Sequence, residues 1–311
     1  MTIRGDVVGG LLRPPYLVEA RTAHAAGRLA PAEFKRVEDR AVDEAVALQE
    51  AAGLDVVSDG ELRRYAFFGH LVDAVDGFDK FGGWAIPFRD DEGGELVSAG
   101  AYPTRDAYLA DVVDLTRREI DELVRLGCTY VQIDAPQYAA LLDPTMRDGY
   151  RERGSDPDAL IDACIDMDNA VIGHHPGVLF GLHICRGNNQ SKFYASGDYG
   201  PIARVFGKSR FQRFLLEYDD ERSGGFEPLR AMPPDREVVG LVTTKKPRLE
   251  SVDELRRRID EAARYVPLDR LALSPQCGFA STMEGNLISP ERQREKLARV
   301  AETARLVWGH Q

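Results

Sequence analysis

Two spacings of apolar residues alternate along the chain. Short, nearly continuous apolar runs lie at 7–12, 54–58, 130–133, 178–184, 213–218, 237–242 and 271–274. Between them, apolar residues recur three and four apart at 31–52, 65–75, 105–126, 156–173, 252–265 and 290–308, with a shorter stretch at 201–207. The first spacing suits strands buried on both faces, the second suits helices that bury one face. Punctuation agrees with it. Pro31 and Pro290 open helical runs, Gly53 and Gly127 close them, and Pro14-Pro15 breaks the chain after the first strand. Alternating strand and helix predicts a parallel sheet covered by helices.

Polar side chains gather where the strands end: Glu61, Asp134, His183 with Cys185, Glu217, residues 243–245 and Cys277. Convergence from many strand ends is the arrangement of an α/β protein with a (β/α)8 TIM barrel. Seven strand–helix units are clear, one short of eight. Residues 77–100, rich in Gly, aromatics and acids, occupy the place of the third. Either 94–99 or 84–88 supplies that stave, or the third βα unit is shortened or missing. No G-x-G-x-x-G follows the first strand, which argues against a dinucleotide fold.

The length of 311 residues suits one barrel, so a single domain over 1–311 is expected, with 77–100 as an irregular excursion. The net charge of -11 argues against nucleic acid or an anionic membrane as partner. The N-terminal residues carry no signal-peptide core and no apolar run reaches the length of a membrane span, so a cytoplasmic protein with reduced cysteines is expected.

The chemistry concentrates at 181–188. His183 and Cys185 stand two apart on a strand and so project from one face. Cys277 and Glu217 come from other strand ends. Imidazole, thiolate and carboxylate are zinc ligands, and two thiolates favour zinc over magnesium or manganese. Close-spaced C-x2-C pairs of structural zinc modules are absent. Ligands scattered over several strands suit a catalytic site. A strand cysteine is also commonly a small core residue, and H-x-C is a weak motif, so on residues alone both readings stand. Cys128 and Cys164 read as packing residues, His174-His175 as polar groups at a helix end, and His24 and His70 as surface or half-buried side chains.

Three stretches carry a resemblance: Leu182-His183-Ile184-Cys185-Arg186-Gly187-Asn188, residues 216–224 and residues 273–281. They resemble the cobalamin-independent methionine synthase family in a short form holding only the C-terminal catalytic barrel. Residues 8–14, 58–61 and 132–134 fall where that family also has motifs. The resemblance implies a uroporphyrinogen-decarboxylase-like barrel with a Zn2+ ion on His183, Cys185, Cys277 and Glu217, Glu221 being a substitute for Glu217. It implies an S-methyltransferase resembling 5-methyltetrahydropteroyltriglutamate–homocysteine S-methyltransferase, in which the metal activates an acceptor thiol for attack on a methyl donor. Glu61 and Asp134 match the acids that hold the acceptor's amino group and are the expected catalytic residues. Asn188, Arg13, Arg186 and Lys245 join them as substrate-binding candidates. The chain departs from the family at Gly9-Gly10, where relatives often carry Gly-Ser, and in a shortened segment before Ala101. The partners implied are a small-molecule thiol and an alkyl donor, with homo-oligomerisation left open. Two other readings share the site. One is an epoxide-opening transferase resembling epoxyalkane:coenzyme M transferase, with Arg13, Arg186 and Lys245 as cations for a sulfonate. The other is a zinc-binding barrel without catalysis.

Overall fold

The computed structural model describes residues 3–67, 69, 102, 104–235 and 237–309. Two helices open the chain, α1 (Pro15–Ala25) and α2 (Pro31–Ala52), packed against each other. Pro15 is the first residue of α1, so Pro14-Pro15 begins a helix and does not merely break the chain. A proline costs nothing there, because the N–H it lacks has no intrahelical partner. Gly53 closes α2 in the left-handed conformation, φ 79°. Next come α3 (Arg105–Arg125) and β1 (Tyr130–Asp134). Two short helices that the spacing did not predict follow, α4 (Gln137–Leu142) and α5 (Pro144–Glu152). The rest alternates: α6 (Pro157–Ile172), β2 (Leu179–Ile184), α7 (Gly200–Phe206), β3 (Arg213–Leu216), β4 (Glu237–Val239), α8 (Val252–Ala262) and α9 (Pro290–Trp308).

Strands β1 to β4 form one parallel sheet in sequence order, with Asp134 opposite His183. The pairing continues past β4. Val242 bridges Pro275 and Leu273 bridges Gly5, both parallel. The Asp55 N–H donates to the Gly5 carbonyl at 3.1 Å. The strands expected at 54–58, 7–12 and 271–274 therefore exist as these brief pairings. The pairing near 7–12 falls earlier, at Gly5 and Asp6, and Gly9 (φ 57°) then turns the chain toward the polar end of the sheet. Seven segments run side by side among the described residues, matching the seven units of the sequence pattern. The segment expected to hold the third stave, 77–100, and most of the helix expected at 65–75 lie outside those residues, as does His70.

The sheet is curved enough for distant segments to meet. Asp6, fully buried, accepts from Arg213 Nη1 on β3 at 2.6 Å and from Tyr130 Oη on β1 at 2.8 Å. Gln132 Nε2 donates to the Val7 carbonyl at 2.9 Å. Apolar side chains of β1, β2 and β3 pack outward against α4, α6 and α7, with Phe180, Phe206, Phe211 and Phe214 at the centre of that layer. Cys128 and Cys164 lie half-buried against this layer, as packing residues do. No described helix is long and apolar enough to cross a membrane.

Candidate metal centre

All four sequence-derived ligands come together at the C-terminal end of the sheet. His183 is the penultimate residue of β2, Cys185 follows it, Glu217 follows β3, and Cys277 lies beyond the Leu273 bridge. One ligand atom from each of His183, Cys185, Glu217 and Cys277 lies within 4.8 Å of all the others, and all four residues are buried. Tetrahedral zinc, with bonds of about 2.0–2.3 Å, places its ligand atoms roughly 3.3–3.8 Å apart. The two sulfurs are already 3.4 Å apart and unbonded. Small movements would close the set around an ion, so the donors fit zinc. Glu221, the substitute ligand, is exposed in a short 3-10 turn over Glu221–Ser223 and stands outside the cluster.

Three of the four residues are each held by a further partner. His183 Nδ1 lies 3.0 Å from Asp134 Oδ1, a pairing that the β1–β2 register places directly across the sheet. An Nδ1–H donated to Asp134 leaves Nε2 as the metal-facing nitrogen. That atom lies 3.0 Å from the Gln276 carbonyl and 3.8 Å from Glu217. The Gly187 N–H points at Cys185 Sγ from 3.3 Å. Gly187 has φ 90°, and a Cβ there would stand 2.5 Å from the Tyr194 ring, so only glycine fits. Glu217 is fully buried. Its Oε1 accepts from the Arg186 N–H at 2.7 Å and its Oε2 from Lys245 Nζ at 3.3 Å.

The electrostatics of the cluster call for a cation. Burial disfavours a charged His183 ring. The hydrogen bond and charge of Asp134, joined by Cys277 and Glu217, outweigh that and push the imidazole up to about 10. Cys277 beside it, together with burial, pushes the Cys185 thiol well above its ordinary range. Burial would likewise lower the Lys245 ammonium, but Glu217 and Asp219 hold it above its usual value. A bound metal ion supplies the positive charge that protons otherwise bring.

The remaining candidates divide. Glu61 stands at φ 55°, on a turn, with Oε2 buried and without a hydrogen-bond partner among the described residues. Burial, with help from Asp134 and against Arg64 and Arg13, pushes its carboxyl up to about 7. Asp134 is a third exposed and forms part of the rim of the cluster. Asn188 Nδ2 donates to Thr244 Oγ1 at 2.9 Å and to the Gly278 carbonyl at 2.8 Å, fastening the 186–188 turn to the Cys277 segment. Arg13 is turned onto backbone carbonyls of Leu11, Glu61 and Ala280. Arg186 is buried over the Tyr199 ring, its carbon 4.4 Å from the centroid, with Nη1 and Nη2 unpartnered among the described residues. Sequence reasoning missed the roles of Tyr199, which binds the Glu217 N–H at 2.7 Å, and of Gln276, which accepts from the Thr244 N–H at 2.5 Å. Neither lies at a strand end with an ionisable side chain, the signal that found the others.

The profile of the cobalamin-independent synthase catalytic domain matches residues 98–290. The chain belongs to the cobalamin-independent methionine synthase family. That is a methyltransferase family, and its span includes all four residues of the cluster. An uncharacterised Bacillus subtilis protein, YxjH, is 33% identical over 98% of this chain and 94% of its own. The methionine synthase of Pyrococcus abyssi is 23% identical over 97% of this chain and 92% of that one. A crystal structure from Listeria monocytogenes, assigned as a vitamin-B12-independent methionine synthase, aligns with a TM-score of 0.74 at 26% identity. It covers 99% of this chain and 98% of that chain.

Proposed function

We propose that the protein is a zinc-dependent thiol S-methyltransferase, built as a single (β/α)8-type barrel domain. The observation that carries this reading is the buried quartet His183, Cys185, Glu217 and Cys277, all within 4.8 Å, in a member of a methyltransferase family. Zinc bound there would hold an acceptor thiol as the thiolate, a nucleophile at neutral pH. The chain's own residues do the rest. His183 is held by Asp134 and the Gln276 carbonyl and Cys185 by the Gly187 N–H, while Cys277 follows Gln276, which is tied to Thr244. Glu217, which has alternative partners, is the donor that yields its place to the thiol. Glu61 and the free side of Asp134 hold the acceptor's ammonium, the one chemistry that suits two acids at a partly open rim. Asn188 keeps the two ligand-bearing turns together.

Homocysteine and a folate-borne methyl group are the substrates this reading favours. Position 10 is distinctive. A Cβ on Gly10 would collide with the Ala280 carbonyl and sit 3.0 Å from Glu61 Oε2, so the serine often found there in relatives has no room. The polar end of the acceptor is then held by Glu61 and its neighbours without a hydroxyl from position 10. A sulfonate-bearing thiol is less well served, because Arg13 is spent on carbonyls, Lys245 on Glu217, and Arg186 is buried over the Tyr199 ring.

The test is turnover. Zinc-loaded protein is incubated with homocysteine and methyltetrahydrofolate donors, and with 2-mercaptoethanesulfonate and epoxides, and thioether products are sought by mass spectrometry. Methionine formation is expected. Stoichiometric zinc without any thioether overturns the catalytic reading, and product only from the epoxide pair reassigns it. Cys277→Ala is expected to lose zinc; full zinc content in that variant overturns the ligand set.

A further inference from the structure

Lys245 is buried, and its ammonium has a defined position. The backbone N–H of Lys245 donates to Thr243 Oγ1 at 3.2 Å. Thr243 is tied to Glu250 at 3.0 Å, and Glu250 is paired with Lys296 at 2.8 Å. Thr244 is tied to Gln276, the neighbour of Cys277. The Nζ is thus carried on a braced turn and reaches Glu217 Oε2 at 3.3 Å. With the Arg186 N–H on Oε1, both Glu217 oxygens have donors supplied by the chain itself.

A carboxylate with no exposure cannot leave a metal for empty space, since a bare buried charge costs several kcal/mol. It can leave for a partner already in place. Resting on the thiol-transfer reading above, we infer that Lys245 is a positioning residue that offers Glu217 a second place to rest. It thereby makes Glu217 the ligand that an incoming thiol displaces. With zinc bound, that exchange would break the Glu217 oxygen–metal bond and form the sulfur–metal bond. The thiol proton would pass to solvent, and the carboxylate would be received by Lys245 and the Arg186 N–H. Among the described residues no cationic side chain hydrogen-bonds His183, Cys185 or Cys277, so the exchange falls on Glu217.

The test compares zinc-loaded wild type, Lys245→Met, Lys245→Arg, Glu217→Gln and the Lys245→Met/Glu217→Gln pair. Zinc affinity is read by chelator competition, and homocysteine affinity from the visible spectrum of the cobalt-substituted proteins. Lys245→Met is expected to bind zinc at least about tenfold more tightly and homocysteine at least about tenfold more weakly, the scale of other outer-sphere changes. Lys245→Arg is expected to stay near wild type. In the Glu217→Gln background, Lys245→Met is expected to change neither affinity. An equal rise in zinc affinity in that background overturns the proposal, because the lysine would then act only through its field on the ion. Unchanged or weakened zinc binding in Lys245→Met also overturns it, leaving a scaffold role. Lys245→Gln replaces the methionine variant if circular dichroism shows the latter unfolded, with the same outcomes. Protein that holds zinc but turns over no thiol sinks the functional reading alone, since the zinc affinities still decide the role of Lys245. Wild type that holds no zinc sinks both.

Discussion

At the scale of single residues, Glu61 shows how the site opposes the stability of the fold. Its backbone is in the left-handed region at φ 55°, and one carboxyl oxygen is buried without a partner among the described residues. Both features cost free energy in the absence of a ligand. An acid whose folded pKa is raised prefers its neutral form in the fold. Between the ordinary 4.5 and the folded value of about 7, the native state therefore binds more protons than the unfolded chain. Stability falls as pH rises through that window. Wild type is expected to lose about 3 kcal/mol relative to Glu61→Gln between those limits, measured by urea unfolding at several pH values. A difference that does not change with pH would remove Glu61 as an isolated buried acid. A cationic ligand at Glu61 should reverse the slope. Close packing nearby gives a second expectation. A Cβ at Gly278 would lie 2.5 Å from the Gly10 nitrogen, backbone against backbone. Gly278→Ala is expected to cost about 1–3 kcal/mol in the same assay, because neither chain segment can yield.

At the scale of elements, helix ends are where local chemistry is strongest. Ser251 Oγ accepts from the Glu254 N–H at 3.1 Å at the start of α8, and Ser251→Ala is expected to cost about 1 kcal/mol by thermal or urea unfolding. Signals of this kind made α2, α3, α6 and α9 readable from the sequence nearly to the residue: Pro or a capping side chain at the start and a long apolar stripe. α1 was missed because it has little apolar periodicity and opens on a proline pair that also marks loops. α4 and α5 were missed because helices of six and nine residues carry too few turns for a spacing to show. The short staves near Gly5, Asp55 and Leu273 read as strands because apolar runs at 7–12, 54–58 and 271–274 lie on or beside them, although their backbones pair only briefly. The candidate ligands were legible because ionisable side chains at strand ends are unusual. Their partners were not. That one oxygen of Asp134 is taken by His183 follows from the β1–β2 register, which sequence spacing does not carry. Lys245 read only as a substrate-binding candidate for the same reason; its partner lies 28 residues away on another strand end.

At the scale of the whole molecule, the candidate ligand cluster draws distant segments together. Cys185 and Cys277 are 92 residues apart, and Glu217 lies between them on a third segment. An ion on all four residues would close two long loops, and no comparable site is formed in the unfolded chain, so metal binding free energy becomes folding free energy. At free zinc about 1,000 times the dissociation constant the stabilisation is about 4 kcal/mol. Stripping the metal is therefore expected to lower the Tm by several degrees, and Cys277→Ala should abolish that difference. The same event must move protons, because thiolates and a neutral imidazole are the forms that bind metal. With the Cys185 thiol pushed up by Cys277 and burial, and the His183 ring raised to about 10 despite burial by Asp134, both groups carry a displaceable proton at neutral pH. Zinc titration by calorimetry in buffers of different ionisation enthalpy is expected to release about two protons or more per ion at pH 7. The release from His183 should disappear as the pH is raised past about 10. Zinc binding with no proton release at pH 7 would mean that the ion sits on exposed carboxylates elsewhere, and the thermal shift would then survive Cys277→Ala.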